Sequence, residues 1–222
     1  MNIPYTHSGL IASAIAMDKL LAKTLMAGAG IMVPPTLALI EDSHVYPEDR
    51  IGAHVIKPRN DGSSFGVVIV PDSETRPPAR SIWPANSQLI CEPYIPGREL
   101  TVAVLDGTAL CVTEITSERE FYDFDAKYAI GGSTHILPAK IPEAINLKAC
   151  LWAEQAYRQL GCRGIIRADY RWDEKSDQLF MLEVNTQPGM TATSLVPEQA
   201  RFVGMSGEEL VNHLLEIAQC DD

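Results

Sequence analysis

One stretch, residues 179–195 (LFMLEVNTQPGMTATSL), constrains the fold more than any other. Its first four residues are apolar and predict a buried strand, and residues 187–189 (QPG) end that strand in a turn. Because side chains alternate along a strand, Glu183 and Asn185 point to the same face. A carboxylate and an amide oxygen side by side at the end of a buried strand suit a hard cation such as Mg²⁺.

A second stretch, residues 163–172 (RGIIRADYRW), predicts the strand that pairs with the first. Residues 173–177 (DEKSD) lie between the two and are polar, which is typical of a turn. The alternation of a strand places three charged side chains on one face: Arg167, Asp169 and Arg171.

The spacing also predicts how the two strands pair. If the hairpin centres on Ser176, Asp169 lies opposite Glu183 and Arg167 lies opposite Asn185. Two neighbouring carboxylates repel each other unless a metal ion or a proton lies between them, so this patch is a candidate metal site. The alternative is an ordinary hairpin with a solvated charged face, which is common in antiparallel sheets.

Composition narrows the class of protein. The 222 residues are 46% hydrophobic and 21% charged, which fits one large domain or two small ones. A net charge of −11 argues against non-specific binding to nucleic acid or to an anionic membrane. Five cysteines without a Cys-x-x-Cys pair indicate reduced thiols and a cytoplasmic location. The apolar run at residues 9–17 is too short to span a bilayer, and no signal peptide is predicted.

The first half of the chain offers a candidate phosphate site. Residues 10–26 have the pattern of one helix, and residues 53–57 form a strand that ends at Lys57. A Gly/Ser loop follows at residues 59–66 (RNDGSSFG). Such a loop can lay backbone N–H groups over phosphate oxygens, and Lys57 would add a positive charge. An ordinary glycine-rich turn explains the same residues equally well.

The middle of the chain contains a hairpin and a long loop. Residues 99–105 and 108–115 alternate as strands around Asp106-Gly107, a strong two-residue turn signal. Residues 118–133 (EREFYDFDAKYAIGGS) have no clean period and indicate a long ordered loop of the kind that covers an active site.

Six motifs, taken together and in order, resemble the bacterial D-alanine–D-alanine ligases of the ATP-grasp superfamily over essentially the whole chain. They are IPYTHSG with AMDK, VIKPRNDGSSFG, EPYIPGRELTVAV, FYDFDAKY with GGSTHILPA, RADY, and LEVNTQPGMTATSLVPEQA. The resemblance implies an α+β, ATP-grasp fold in which two subdomains with antiparallel sheets clamp ATP. Residues 1–18 would be a linker and helix, residues 19–97 the small subdomain, and residues 98–222 the large catalytic subdomain with the loop at 118–133.

The resemblance implies ATP-dependent ligation of two D-alanines through an acyl phosphate, for peptidoglycan synthesis. Phosphoryl transfer depends mainly on positioning and charge neutralisation, so the implied roles concern charged groups. Two Mg²⁺ ions, replaceable by Mn²⁺, would be held by Asp169, Glu183 and Asn185. The ATP phosphates would contact Lys19, Lys57 and Lys127. Adenine would lie against a hinge that contains Glu92, Pro93 and Ile95, and the ribose hydroxyls would bind Glu99.

The same resemblance assigns the substrate contacts. Arg167 and the backbone N–H of Gly189 would face the oxyanion of the tetrahedral intermediate. Ser194 and Leu195 would hold the carboxylate of the second D-alanine. Ser63 and Tyr128 would meet across the first substrate, and the tyrosine goes with D-alanine rather than D-lactate as the second partner.

The resemblance also carries expectations about partners. The family is often dimeric, so a homodimer is an expected assembly. Family members begin with a further α/β domain, and this sequence begins after it. The expectation is therefore a catalytic core that has weak or no activity alone. Either the sequence is a truncated or misassigned reading frame, or its N-terminal domain is a separate partner. The alternatives are a different ATP-grasp carboxylate–amine ligase and an inactive nucleotide-binding fragment.

Overall fold

The computed structural model describes residues 3–40, 52–62, 65–72, 78–116 and 134–221. Its helices are α1 (Leu10–Met17), α2 (Lys19–Gly28), α3 (Glu143–Gln159), α4 (Leu195–Phe202) and α5 (Gly207–Glu216). Its strands are β1 (Ala38–Ile40), β2 (His54–Pro58), β3 (Val68–Val70), β4 (Leu89–Pro93), β5 (Arg98–Leu105), β6 (Thr108–Thr116), β7 (Thr134–Ile136), β8 (Ile165–Asp173) and β9 (Gln178–Asn185). Ser63, Lys127, Tyr128 and the whole predicted loop at 118–133 lie outside the described residues.

The single helix predicted at residues 10–26 is wrong, because the chain breaks it at Asp18. Asp18 has extended backbone angles, and its side chain accepts hydrogen bonds from the N–H groups of Leu20 and Leu21. It is therefore the N-cap of α2. The break matters for function because Lys19 becomes the first residue of α2 and is buried.

An antiparallel sheet of four strands, in the order β1-β4-β2-β3, forms the first half of the molecule. One face of this sheet packs into a small core with Trp83. The residues that alternate with this core face the opposite way, and among them are Lys57 on β2 and Glu92 on β4. These two lie on neighbouring strands, with Lys57 paired to Ile90 and Glu92 paired to Val55, so they are diagonal neighbours on one face.

A second antiparallel sheet, in the order β7-β6-β5-β8-β9, forms the other half. The helices α2 and α3 cover one face and share its main apolar core, while α4 and α5 cover part of the other face. As predicted, β5 and β6 join through Asp106 and Gly107, both of which have positive φ (48° and 82°). This turn type brings the two long strands into register.

The hairpin of β8 and β9 has the predicted register where it matters. Asp169 pairs with Glu183, and Arg167 pairs with Asn185. A β-bulge between Asp169 and Tyr170 shifts the register in the half of the hairpin nearer the turn. There Tyr170 pairs with Met181, whereas a hairpin centred on Ser176 would pair it with Leu182. The consequence is that two successive residues of β9, Leu182 and Glu183, both line the same cavity.

Two observations concern the cysteines and the length of the helices. All five cysteines lie within the described ranges, and each is an unpaired thiol. Within the same ranges, none of the helices is both long enough and apolar enough to cross a bilayer.

Candidate active site

A cavity lies between the two sheets and gathers most of the predicted binding residues. The four-stranded sheet, the connection after β4, the start of α2 and the β8–β9 hairpin all contribute to its wall. The predicted residues that line it are Lys19, Lys57, Glu92, Pro93, Ile95, Glu99, Asp169 and Glu183. Lys57 of the first sheet and Lys19 of α2 thus share one space with the carboxylates of Asp169 and Glu183 from the second sheet.

Asp169 is held in a fixed orientation by two neighbours. Arg167 donates two parallel hydrogen bonds to it, from Nε to Oδ1 at 2.8 Å and from its terminal nitrogen to Oδ2 at 2.7 Å. The hydroxyl of Thr101, on the adjacent strand β5, donates to Oδ1 at 2.7 Å. Asp169 is buried, so these three charge-assisted bonds fix the carboxylate rather than leaving it to solvent.

Arg167 stays protonated in this environment. Burial by itself would lower the pKa of its guanidinium, but the charge and hydrogen bonds of Asp169 outweigh that effect. The negative charges of Glu183 and Glu99 act in the same direction, and the net result is a pKa above the usual value. A permanently charged donor beside two carboxylates is suited to stabilising negative charge that develops during a reaction.

The proposed metal ligands form a set of oxygen donors at the end of the hairpin. Asp169 and Glu183 are directly opposed on neighbouring strands, and the Oδ1 atom of Asn185 accepts a hydrogen bond from the N–H of Gln187 at 3.0 Å. Two carboxylates and an amide oxygen suit Mg²⁺ or Mn²⁺. Within the described residues, no three His, Cys, Asp or Glu side chains cluster as a metal site, so the amide would be the third protein ligand.

Lys57 reaches the cavity as predicted, but it is not alone there. Its Nζ atom lies 2.8 Å from Oε2 of Glu92, and the other carboxylate oxygen of Glu92 pairs with Lys23. Lys23 also donates to the hydroxyl of Thr36 at 3.1 Å. Sequence reasoning missed Lys23. Lys23 lies four residues after Lys19, so both lysines are on one face of α2. That spacing could have indicated that Lys23 lies near the same site.

Lys19 is the cation that connects the two halves of the cavity. Its Nζ atom donates to the backbone carbonyl of Asp61, in the loop after β2. Burial lowers the pKa of Lys19, and although the charge of Glu183 raises it, the net shift is downward. A lysine that is already largely stripped of water needs little further desolvation to bind an anion.

Arg171 organises the hinge side of the cavity and was given no role by the sequence. Its Nε atom donates to the carbonyl of Ile95 at 3.1 Å, and a terminal nitrogen donates to the hydroxyl of Tyr94 at 3.1 Å. Another terminal nitrogen lies 3.8 Å from a carboxylate oxygen of Glu99. One side chain of β8 therefore fixes both the connection after β4 and the carboxylate expected to bind ribose.

The residues expected to hold the second substrate lie at the start of α4. The Oγ atom of Ser194 accepts from the N–H of Thr191 at 3.1 Å and lies 2.7 Å from the Thr191 hydroxyl. A Cβ atom at Gly189 would lie 2.9 Å from that Oγ, so a larger residue at position 189 would displace the Ser194 hydroxyl. Ser194 precedes Leu195, the first residue of α4, without capping the helix through its side chain.

A buried glutamine ties α4 to the strand that supports Asp169. The Oε1 atom of Gln199 accepts from the N–H of Ala103 at 2.8 Å, and its Nε2 atom donates to the carbonyl of Thr101 at 3.3 Å. Both bonds lie at the irregularity between β5 and β6, where ladder bonds are disrupted. Sequence reasoning missed Gln199. A glutamine in the middle of a helix is usually a solvated residue, so the local pattern did not indicate its contacts with β5.

Comparisons with known proteins identify the family of the chain. The family model described as D-ala D-ala ligase C-terminus matches residues 25–216. The D-alanine–D-alanine ligase of Paramagnetospirillum magneticum is 50% identical over 226 residues, which cover 100% of this chain and 73% of that protein.

Two crystal structures of D-alanine–D-alanine ligase from Bacillus anthracis share the fold. One is 28% identical with a TM-score of 0.80, and it matches 96% of this chain and 71% of that one. The other, complexed with ATP, is 24% identical with a TM-score of 0.78, and it matches 96% and 69% respectively. On the strength of the family match and the half-identical relative, the chain belongs to the D-alanine–D-alanine ligases, ATP-dependent enzymes that join two D-alanines.

Proposed function

We propose that the cavity between the two sheets is the ATP site, with the triphosphate between Lys19 and Lys57. Adenine would lie against Glu92, Pro93 and Ile95, and the carboxylate of Glu99 would accept hydrogen bonds from the ribose hydroxyls. Three observations support this placement: Lys19 and Lys57 are buried and line the cavity, Asp169 and Glu183 line the same cavity, and a relative of the same fold was crystallised with ATP.

The oxygen donors Asp169, Glu183 and Asn185 would hold two Mg²⁺ ions, or Mn²⁺, at the phosphate end of this site. Such ions neutralise charge on the phosphates and steady both the attacking and the leaving oxygens. The direct opposition of Asp169 and Glu183 supports the assignment, because it concentrates negative charge that a cation would balance. Thr101 and Arg167 keep Asp169 pointed at that position.

The chain's own residues would then position the reactants. A carboxylate oxygen of the first D-alanine takes the γ-phosphoryl group, and ADP leaves. The amine of the second D-alanine attacks the resulting acyl phosphate and releases phosphate. Arg167 and the N–H of Gly189 would stabilise the oxyanion formed in this attack. Ser194 and Leu195 would hold the second carboxylate.

Three further assignments concern residues that the structure does not describe. Ser63 and Tyr128 would meet across the first substrate, and Lys127 would contact the phosphates. The tyrosine would favour D-alanine over D-lactate as the second partner. A panel of D-alanine, D-lactate, D-serine and L-amino acids tests this preference. Faster product formation with an L-amino acid than with D-alanine would contradict the substrate assignment.

We also propose that residues 19–97 and 98–222 act as two subdomains that close on the nucleotide, after a junction at residues 1–18. A homodimer is the proposed assembly. Sedimentation of the protein across a concentration series tests it, and a single monomeric species at all concentrations would contradict it.

The facing of buried lysines and carboxylates across one cavity is the observation on which the ATP site rests. Its test is a calorimetric titration of ATP with Mg²⁺ into the protein and into Lys57→Met. Loss of one charge-assisted contact predicts binding weaker by roughly 10- to 100-fold. Lys148→Met is the matched control, because Lys148 lies exposed on α3. Equal affinity of Lys57→Met and the unchanged protein would contradict the proposed site.

A further inference from the structure

The buried charge cluster behind the cavity has one member that the reaction does not use. Lys23 lies on α2 and is only 5% exposed, and it does not line the cavity. It approaches Glu92 from behind, where it pairs with Oε1 while Lys57 pairs with Oε2. Lys23 is thus too far back to bind nucleotide and too deep to be a solvated surface lysine.

The charges in this cluster do not balance. Among the described residues, Lys23 and Lys57 share the single carboxylate of Glu92, which is 2% exposed, so these three groups carry one excess positive charge. A buried charge without a partner is costly in free energy. The excess is offset if an anion enters the cavity and takes one of the lysines as its partner. Lys57 is the lysine that lines the cavity, so it is the one that can turn to the anion.

We propose that Lys23 is a positioning residue that holds Glu92 in place and thereby releases Lys57 to the ATP phosphates. The inference rests on the proposed ATP site. When Lys57 turns toward phosphate, Glu92 loses one of its two cations. Lys23 remains paired with Glu92, and Thr36 accepts the second hydrogen bond of Lys23, so the carboxylate stays compensated at the adenine end of the cavity.

The exchange has a clear energetic logic. Without Lys23, moving Lys57 would leave Glu92 buried with no cation, and that state is strongly disfavoured. Lys57 would then remain on Glu92, and ATP would lose its phosphate contact. The role requires the charge of Lys23 rather than its bulk. The role of Lys23 also depends on the charge of Glu92. An uncharged residue at position 92 would not retain Lys57, and Lys23 would then have nothing to compensate.

The test is a cycle of variants measured by calorimetry with ATP and Mg²⁺. Lys23→Met should weaken ATP binding by roughly 10- to 100-fold, the range expected for one charged partner. It should raise KM for ATP while kcat at saturating ATP and KM for D-alanine stay within about twofold. Lys23→Arg should restore most of the affinity, and Lys148→Met should bind ATP normally.

Glu92→Gln separates positioning from general charge. In that background Lys57 is no longer retained, so adding Lys23→Met should change ATP affinity by less than about twofold, as expected for coupled residues. An equal loss in both backgrounds, or no loss in the single variant, would overturn the proposal. If thermal melting shows that Lys23→Met does not fold, Lys23→Gln keeps a polar N–H donor, removes the charge and gives the same comparison.

The outcomes also distinguish this inference from the ATP site on which it rests. If Lys57→Met weakens ATP binding but Lys23→Met and Lys23→Gln do not, the site stands and the role of Lys23 is wrong. If Lys57→Met does not change ATP affinity, the nucleotide binds elsewhere and both proposals fail.

Discussion

Removing the hydroxyl of Thr101 tests how Asp169 is prepared for its role. Thr101→Val keeps the shape of the side chain but deletes the 2.7 Å hydrogen bond to Oδ1 of Asp169. Both residues are buried, and Asp169 retains its two bonds from Arg167. The carboxylate therefore keeps its charge compensation but loses one of the two neighbours that fix its orientation.

The expected size of the effect follows from this geometry. A hydrogen bond to a charged group contributes about 1.5–3 kcal/mol. Loss of a partner that orients a metal ligand lowers metal affinity by roughly 10- to 100-fold, which is the same energy range. We expect the half-saturating Mg²⁺ concentration for turnover to rise by that factor. The melting temperature should fall by roughly 3–12 °C for a protein of this size.

The neighbouring strand provides a matched control. Thr113 pairs directly with Thr101 across β5 and β6, and its hydroxyl is buried without a hydrogen-bond partner among the described residues. Thr113→Val makes the same chemical change without deleting a bond, so it should leave Mg²⁺ dependence unchanged and stability equal or higher. Thr101→Ser, which keeps a hydroxyl, should behave nearly as the unchanged protein.

The assay is a Mg²⁺ titration of ADP release, with thermal melting of each variant. The reasoning is refuted if Thr101→Val has the Mg²⁺ dependence of the unchanged protein. It is also refuted if Thr113→Val shifts the Mg²⁺ dependence as much as Thr101→Val, because the effect would then not come from the bond to Asp169.

Three other predictions address the metal ligands, the helix break and the hinge. Glu183→Gln should lower kcat by roughly 100-fold or more without unfolding the chain, as judged by circular dichroism and a Mg²⁺ titration; near-normal turnover at low Mg²⁺ would rule out its role as a ligand. Hydrogen bonds from Arg59 hold the pKa of Asp18 below its usual value of 3.8. The ionised carboxylate of Asp18 therefore stabilises the folded protein above pH 3.8, and this stabilisation is lost as the pH falls through the lower pKa of the folded state. Denaturant unfolding of Asp18→Asn should therefore differ from the unchanged protein near neutral pH and converge with it below about pH 3.8, and a constant difference at all pH values would refute this. Gly97 has a φ of 97°, and a Cβ there would lie 2.1 Å from the carbonyl oxygen of Trp172. Gly97→Ala should therefore lower the free energy of unfolding by about 1–3 kcal/mol or more in the same assay. An unchanged unfolding midpoint would contradict the geometry.

The β8–β9 hairpin was predictable because its signals are local. Alternation along both strands and a short polar turn place Asp169 opposite Glu183 and Arg167 opposite Asn185, as the structure has them. The bulge was not predictable. Leu179, Met181 and Val184 all lie in the core, so the spacing between core residues along β9 changes from two to three. Because Leu182 is also apolar, the sequence pattern does not reveal this change.

The elements that sequence reasoning missed depend on contacts between distant parts of the chain. The helix break at Asp18 is held by Arg59, which lies 41 residues away and donates to the Asp18 carboxylate at 2.9 Å. Lys23 pairs with Glu92, which lies 69 residues later on β4, an interior strand of the four-stranded sheet. The helix that carries Lys23 packs instead on the five-stranded sheet. Local pattern carries no information about such pairings. The roles given to Ser63, Lys127 and Tyr128 stay predictions.

The most direct test of the account measures ADP release and D-alanyl-D-alanine together, with ATP, Mg²⁺ and D-alanine as the only reactants. The chain is assayed alone and with the part of the Paramagnetospirillum magneticum ligase that lies outside the 73% it matches. The account predicts equal amounts of ADP and dipeptide in at least one of these mixtures, and neither product with Glu183→Gln. ADP without dipeptide in both mixtures, or no ADP despite measured ATP binding, would contradict it.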